Sequence, residues 1–129
     1  MLIVQIPSAL AKPFVDEYCK EYGINTANSP DYGHEVHWLG AISRGEIQAV
    51  IGYVALEEGI YVHGYFMKHT FTGRKAFLAL NKFTYDLQTP LWGYIRNDNP
   101  DMFYRMLKEG WSIAGGTDNE TLVNWSCYN

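Results

Sequence analysis

The sequence is poor in cysteine and has no long hydrophobic run. Cys19 and Cys127 are its two cysteines, and they lie far apart and outside any Cys-x-x-Cys or Cys/His pattern. We therefore expect reduced thiols in a cytoplasmic protein rather than a disulfide framework, with a single bridge between the two cysteines as the alternative. The apolar opening MLIVQI is cut short by Pro7, so it resembles neither a signal peptide nor a membrane span.

Basic residues are also few. The 10 Lys and Arg residues against 14 Asp and Glu residues give a net charge of −4, which argues against broad electrostatic binding to nucleic acid or to an anionic membrane. Hydrophobic residues make up 47% and aromatic residues 16% of the 129 positions. This is ample material for one core, so we predict a single domain over residues 1–129, with exposed strand edges that would suit a homodimer.

Hydrophobic periodicity predicts the element order βαβββαβαββ, a mixed sheet flanked by helices. Helices are expected from Ser8 to Tyr22 with Pro13 in or near the first turn, from Gly73 to Gln88, and from Pro100 until Gly110 with Asn99 as N-cap. The polar stretch Asn25–His34 is expected to be a loop. Strands are predicted over residues 2–6, 36–43, 47–56, 60–69, 91–95, 111–115 and 121–128, the second to fourth forming an antiparallel meander.

The segment from Lys68 to Ala76 holds the densest group of candidate binding residues. It runs from a strand through a hydroxyl-bearing loop into a helix start, and Lys68, Arg74 and Lys75 are three of the ten basic residues. Unpaired N–H groups at a helix N-terminus attract anions, Gly73 allows close approach to the backbone, and basic side chains add charge-assisted hydrogen bonds. The pattern predicts a phosphate or pyrophosphate site; an ordinary capped helix with solvated basic side chains is the alternative.

The fourth strand carries the candidate general base. Period-two alternation predicts one shared face for Tyr61, His63, Tyr65, Met67 and His69. An imidazole with its ordinary pKa of about 6.5 accepts a proton from an ammonium group near neutral pH, so His63 is the best candidate. A histidine satisfied by a neighbouring Tyr or Glu on the sheet surface is the alternative.

A metal site is not predicted. His34 and His37, near Asp31 and Glu35, fall at a loop-to-strand junction where their side chains would not share a face. No nucleophile motif such as Gly-x-Ser-x-Gly occurs, and Cys19 is expected to pack in the core rather than react.

The order of these elements resembles the GNAT family of acyl-CoA-dependent N-acetyltransferases over nearly the whole chain, apart from a shortened first helical region. The resemblance implies an α/β, GNAT-like acyl-CoA N-acyltransferase fold with a mixed, mostly antiparallel sheet. The family's cofactor loop, Gln/Arg-x-x-Gly-x-Gly/Ala, corresponds to residues 70–75 here. Gly73 fits, whereas Thr70 replaces the first residue and Lys75 replaces the last small one.

A second stretch, residues 99–111, resembles the family's Asn-x-x-Ala-x-x-x-Tyr-x-x-x-Gly-Phe segment. Asn99, Gly110 and the aromatic Trp111 match, but Met106 stands where the family has the Tyr that often protonates the departing thiolate. Tyr104 is the nearest replacement, although two residues rotate a helix by about 200°.

The resemblance implies that acetyl-CoA is the co-substrate and that an amine attacks it directly in a ternary complex, entering from the side of the Asn25–His34 loop. His63 would act as base and Tyr104 as acid. The implied cofactor-binding residues are Phe66, Met67 and Lys68 beside the pantetheine arm, Phe71, Thr72, Gly73, Arg74, Lys75 and Ala76 around the pyrophosphate, and Asn99.

A catalytically inactive binding or assembly protein of the same fold is the alternative, motivated by Lys75 and Met106 at the two diagnostic segments. Compact, motif-degenerate members of this fold also occur in bacteriophage genomes, including as virion-associated proteins, and this chain is similar to them in size and divergence. Such a protein would act through a protein partner.

Overall fold

The computed structural model describes residues 1–22 and 36–126, which form seven strands and three helices in the predicted order. The strands are β1 (Leu2–Ile6), β2 (His37–Ser43), β3 (Glu46–Leu56), β4 (Gly59–Met67), β5 (Leu91–Arg96), β6 (Ser112–Gly116) and β7 (Glu120–Trp125). The helices are α1 (Ser8–Tyr22), α2 (Phe71–Asp86) and α3 (Pro100–Lys108). The predicted mixed α/β class is therefore confirmed. The predicted Asn25–His34 loop and Cys127 lie outside the described residues.

All seven strands belong to one sheet, in the order β1-β2-β3-β4-β5-β7-β6. The first four form the predicted antiparallel meander, and β5, β7 and β6 are also antiparallel to one another. Among the described strands only β4 and β5 pair in parallel. Their connection is α2, because a parallel pair needs a long crossover.

The start of α2 differs from the prediction. Helix α2 begins at Phe71, two residues before Gly73, because Thr70 is the N-cap and its Oγ1 accepts a hydrogen bond of 3.0 Å from the Gly73 N–H. Helix α1 has the predicted bounds, Ser8–Tyr22, and Pro13 is its sixth residue, near the first turn as expected. Asn99 also caps α3 as predicted, with its side chain accepting from the Met102 N–H at 3.4 Å.

A β-bulge in β4 overturns the predicted face assignment. Gly52 pairs with Gly64, whereas the next residue of β3, Tyr53, pairs with Val62, so His63 is an extra residue in β4. An extra residue reverses the alternation beyond it. Tyr61 therefore faces the other side of the sheet from Tyr65 and Met67, which pack in the core cluster that includes α2.

Helix α1 covers one face of the sheet, with the buried Val15 and Cys19 against Trp38 and Val50. The expected role of Cys19 in packing is thus confirmed, and burial, followed by the nearby Asp16 carboxylate, raises the pKa of its thiol. No helix in the described parts of the chain is long and apolar enough to cross a membrane.

Helices α2 and α3 cover the opposite face. Ala76 and Leu80 of α2 pack on β3 and β4 with Ala49, Ile51 and Val62. The inner side of α3 packs on β5 and β7 through three partly buried side chains, Met102, Phe103 and Met106. The two helices are therefore placed on either side of the line where β4 meets β5.

Substituting Leu80 by Ala tests the packing of α2. Leu80 is fully buried, so the cavity left behind should lower the free energy of unfolding by about 2–5 kcal/mol. Chemical denaturation measures this change. The matched control is Leu78→Ala in the same helix, where the side chain is 57% exposed and the expected change is within about 0.5 kcal/mol. Equal losses in the two variants would contradict the described packing.

Candidate active site

The sheet opens between its two parallel strands. The β4–β5 ladder pairs Ile60 with Leu91, Tyr61 with Trp92, and Val62 with Gly93, and the two strands are not paired beyond these residues although both continue. The divergence starts at the bulge residue, His63. The two strands therefore diverge beyond this point, and they leave a wedge between β4 and β5.

The backbone of β4 presents hydrogen-bonding groups to this wedge. The Lys68 N–H donates to the Gln48 carbonyl at 2.9 Å, on the β3 side. Backbone groups alternate between the two edges of an antiparallel strand, so the N–H and C=O groups of Tyr65 and Met67 point to the other edge, toward β5. An extended ligand lying in the wedge can pair with them as an added strand would.

The wedge opens toward the N-terminus of α2. Lys68, His69 and Thr70 connect the end of β4 to the helix, and the first N–H groups of a helix have no partner within it. Phe71 is 74% exposed at this end, and the Lys75 Nζ lies 4.6 Å from the centroid of its ring. Arg74 is also exposed. The combination of helix dipole and cations suits an anion.

Gly73 is required by a close approach of the backbone. A Cβ atom at this position would lie 1.9 Å from the Lys68 carbonyl oxygen, which no side chain can tolerate. The absence of a side chain therefore lets the first turn of α2 close onto the end of β4. Thr72 is half-buried beside it, and Ala76 lies one turn further in the core.

The side chains of the predicted segment Phe66–Lys68 lie in three different environments. Phe66 packs on the α1 side, edge-on to Tyr18 at 5.5 Å between ring centroids, whereas Met67 packs on the α2 side. The Lys68 Nζ lies 3.3 Å from Glu46 Oε2 at the surface. What these residues share is their place along the wedge.

His63 lies half-buried on the α1 side of the sheet. It lines a cavity of about 430 Å³ together with Lys12 and Asp16 of α1 and with Trp38. The bulge places its backbone where the two strands part. The structure thus brings the predicted base to the closed end of the wedge.

The predicted residues of α3 lie in different places. Asn99 is occupied in capping the helix and is exposed. Tyr104 is 63% exposed and contacts the Phe103 ring at 6.1 Å between centroids, whereas Met106 packs in the core. The two side chains therefore face opposite sides of the helix, as the 200° rotation requires.

A network that sequence reasoning missed joins α2 to α3. The Tyr85 hydroxyl donates to Glu109 Oε2 at 2.5 Å and accepts from Trp111 Nε1 at 2.8 Å. Arg105 Nε donates to Glu109 Oε1 at 3.3 Å. The i,i+4 spacing of Arg105 and Glu109 could have indicated their ion pair. No spacing links that pair to Tyr85, which comes from a separate helix.

Two aromatic residues connect this network to the wedge. The Arg105 guanidinium lies 4.6 Å from the centroid of the Phe77 ring, and Tyr65 packs against that ring at 5.4 Å between centroids. Burial raises the pKa of the Tyr65 hydroxyl, with the Glu109 carboxylate as the second cause and Arg105 opposing both. Burial, and then the hydrogen bond to Glu109, raises the pKa of Tyr85. Both hydroxyls keep their protons at neutral pH.

The described residues contain no group of three or more His, Cys, Asp or Glu side chains that could hold a metal ion. His34, one of the two histidines considered in the sequence, lies outside them. His37 contacts the Tyr53 ring at 5.6 Å between centroids.

The structure is similar to several solved N-acetyltransferases. An IAA acetyltransferase from Bacillus cereus ATCC 14579 superimposes with a TM-score of 0.67 at 10% identity, covering 96% of this chain and 97% of that one. The aminoglycoside 6'-N-acetyltransferase from Enterococcus faecium gives 0.61 at 14% identity, covering 98% and 97%. The PaiA N-acetyltransferase from Thermoplasma acidophilum, crystallised with coenzyme A, gives 0.55 at 14% identity, covering 94% and 80%.

These similarities show that the chain has the GNAT acyl-CoA N-acyltransferase fold. No protein-family model matches the sequence, and no curated protein matches it.

Substituting Gly73 by Ala tests the close approach at the α2 N-terminus. The added methyl group meets the Lys68 carbonyl, so the free energy of unfolding should fall by about 1–3 kcal/mol or more. Gly115→Ala is the control because a Cβ there meets nothing within 4 Å. Chemical denaturation of both variants provides the comparison, and an unaffected Gly73→Ala protein would refute the described loop.

The two tyrosines with raised pKa predict a loss of stability in alkali. Their stabilising effect is complete below the ordinary tyrosine pKa of about 10 and is lost as the pH rises through the higher folded-state values, because the folded chain then binds more protons than the unfolded chain. Above pH 10, Tyr85→Phe should reduce the slope of the unfolding free energy against pH. The reduction corresponds to the uptake of at most about one proton. The exposed Tyr104→Phe is the control, and an equal slope in both variants would contradict the buried network.

Proposed function

We propose that this chain is an acyl-CoA-dependent N-acetyltransferase of the GNAT superfamily, with acetyl-CoA as co-substrate and an amine as acceptor. The observation that carries the proposal is the open edge of β4 at Tyr65 and Met67, which leads directly to the exposed N-terminus of α2. The fold, and the coenzyme A in the Thermoplasma acidophilum structure, support the same conclusion.

The residues along this path fit the three parts of the co-substrate. Backbone groups of β4 would pair with the amide groups of the pantetheine arm. The first turn of α2 would hold the pyrophosphate through its N–H groups, which Gly73 brings close to the end of β4, with Arg74 and Lys75 adding charge. Acetyl-CoA supplies a thioester carbonyl, at which the amine nitrogen forms a C–N bond as the C–S bond breaks. The thiolate leaves with the electron pair and takes up the proton that the attacking nitrogen loses, which gives the coenzyme A thiol.

His63 is proposed as the group that accepts the proton of the acceptor ammonium. It lies at the bulge where the wedge closes, half-buried and on the side away from α2. General bases positioned in this way contribute about 10²–10⁴-fold to a rate. The acid role of Tyr104 stays a prediction, and its exposure on the outer side of α3 makes Tyr104→Phe a direct test.

Binding of acetyl-CoA should raise the melting temperature of the protein by several degrees. A ligand at 100 times its Kd adds about 2.7 kcal/mol to the free energy of unfolding. Lys75→Glu should weaken this binding by about tenfold or more, because it replaces a cation at the phosphate site by an anion. Lys82→Glu, in the same helix but two turns away, carries the same charge change and should bind normally. No thermal shift in the unmodified chain at millimolar acetyl-CoA would refute the proposal.

Turnover separates the enzyme from the non-catalytic alternative. With an accepted amine, His63→Gln should lower kcat by about 10²-fold or more while leaving the affinity for acetyl-CoA unchanged. Release of the coenzyme A thiol measures kcat, and thermal shift measures affinity. Binding of acetyl-CoA without turnover of any amine would favour the inactive binding or assembly protein, whose partner would then be sought by co-purification.

A further inference from the structure

The cavity beside His63 has an apolar side made of two aromatic rings. The rings of Trp38 and Phe66 border it and lie 6.3 Å apart between centroids. A Cβ atom at Gly52 would lie 2.9 Å from the Trp38 ring, and one at Gly64 would lie 3.0 Å from the Phe66 ring. These two glycines pair with each other across β3 and β4, and they let both rings lie close against the sheet.

Helix α1 lines the same cavity with polar side chains that are one turn apart. Ser8, Lys12 and Asp16 follow one another at intervals of four residues, and all three border the cavity. Residues at this spacing lie on the same side of a helix. The helix therefore presents a hydroxyl group and a cation near its start and a carboxylate one turn further on.

Lys12 and Asp16 do not form an ion pair with each other. Lys82 and Asp86 of α2 have the same order and the same spacing, and their charged atoms lie 2.7 Å apart. Within residues 1–22 and 36–126, neither Lys12 nor Asp16 takes part in an ion pair. Both charges on α1 therefore remain open to a ligand in the cavity.

These charges discriminate among amines. Because His63 is the proposed base, the reacting ammonium group has to lie beside it, in the cavity that also contains both charges. An amine with no other charge is attracted by Asp16 but repelled by Lys12. An amine that also carries a carboxylate can place its ammonium group toward Asp16 and His63. Its carboxylate then accepts charge-assisted hydrogen bonds from the Lys12 ammonium group.

We infer that the acceptor is a zwitterionic amino acid with an apolar side chain, and that Lys12 selects it by binding its carboxylate. The apolar side chain packs against the rings of Trp38 and Phe66. This inference rests on the proposed function, which requires the reacting nitrogen at His63.

The transfer step balances for such an acceptor. Its ammonium group gives one proton to His63, and the nitrogen forms the C–N bond as the thioester C–S bond breaks. The leaving sulfur accepts the second proton that the nitrogen loses, which gives the coenzyme A thiol. The product is an N-acetyl amino acid, an anion that no longer has a positive charge to place toward Asp16.

The matched probes are L-phenylalanine and L-phenylalaninamide, which differ in the carboxylate alone. Each is titrated calorimetrically into the full chain, with and without saturating coenzyme A, at about pH 6.5, where α-amino groups are largely protonated. Phenylalanine should bind about fivefold or more tightly than the amide. Equal affinity for the two probes, tighter binding of the amide or no binding of phenylalanine would overturn the inference.

Two lysines of α1 provide a matched pair of variants. Lys12→Met removes the cation and keeps an unbranched side chain. It should weaken phenylalanine binding about fivefold and strengthen binding of the amide, because a repulsive charge is lost. Lys20→Met makes the same change two turns further along the helix, outside the cavity lining, and should bind phenylalanine normally. If both variants weaken phenylalanine equally, general surface charge attracts it and the inference is wrong.

Thermal shift with acetyl-CoA separates a failure of this inference from a failure of the proposed function. If acetyl-CoA binds and phenylalanine does not, the amino-acid acceptor is refuted and the proposed function stands. If phenylalanine binds in a manner that depends on Lys12 and acetyl-CoA does not bind, selection by Lys12 stands and the acetyltransferase function is refuted. If both bind, Lys12→Met should raise the KM of phenylalanine and leave the KM of acetyl-CoA unchanged; an unchanged KM of phenylalanine would overturn the inference.

Discussion

The parting of β4 from β5 is the constraint on which the rest of the site depends. Three residue pairs hold the two parallel strands together, and the hydrogen bond from the Ile60 N–H to the Pro90 carbonyl, at 2.9 Å, fixes the closed end. Where the hydrogen bonding between two strands stops inside a sheet, the backbone N–H and C=O groups beyond that point need other hydrogen-bond partners. The bulge at His63 occurs at the point of divergence, so one irregularity exposes the edge of β4 and places the candidate base.

The groups on the two faces of the sheet have different proposed roles. On the α2 and α3 side, the first turn of α2 provides N–H groups and cations, and the Tyr85–Glu109–Arg105 network fixes the two helices relative to each other. On the α1 side, His63 lines a cavity together with Lys12, Asp16 and Trp38.

Helices α1 and α3 were predictable because their signals are local. Asn99, Pro100 and Gly110 define the ends of α3 by their own backbone preferences, and Gly110 has the expected positive φ of 98°. The Lys68–Ala76 segment was likewise identifiable, since a strand end, a glycine and three cations are adjacent in sequence. Two neighbours of this segment were not predictable, the Glu46 carboxylate that pairs with Lys68 and the open edge of β4, because both are set by pairing between strands.

The sequence by itself determined the order of the elements, the antiparallel meander and the position of the helix start that carries Gly73 and adjacent cations, since each depends on residues close together in the chain. Only the tertiary structure decided which way Tyr61, His63 and Tyr65 face. A bulge arises from the register between two strands, and no periodicity within β4 reveals it. The cavity beside His63 and the Tyr85–Glu109 network were decided in the same way, because their members meet only when distant elements pack together.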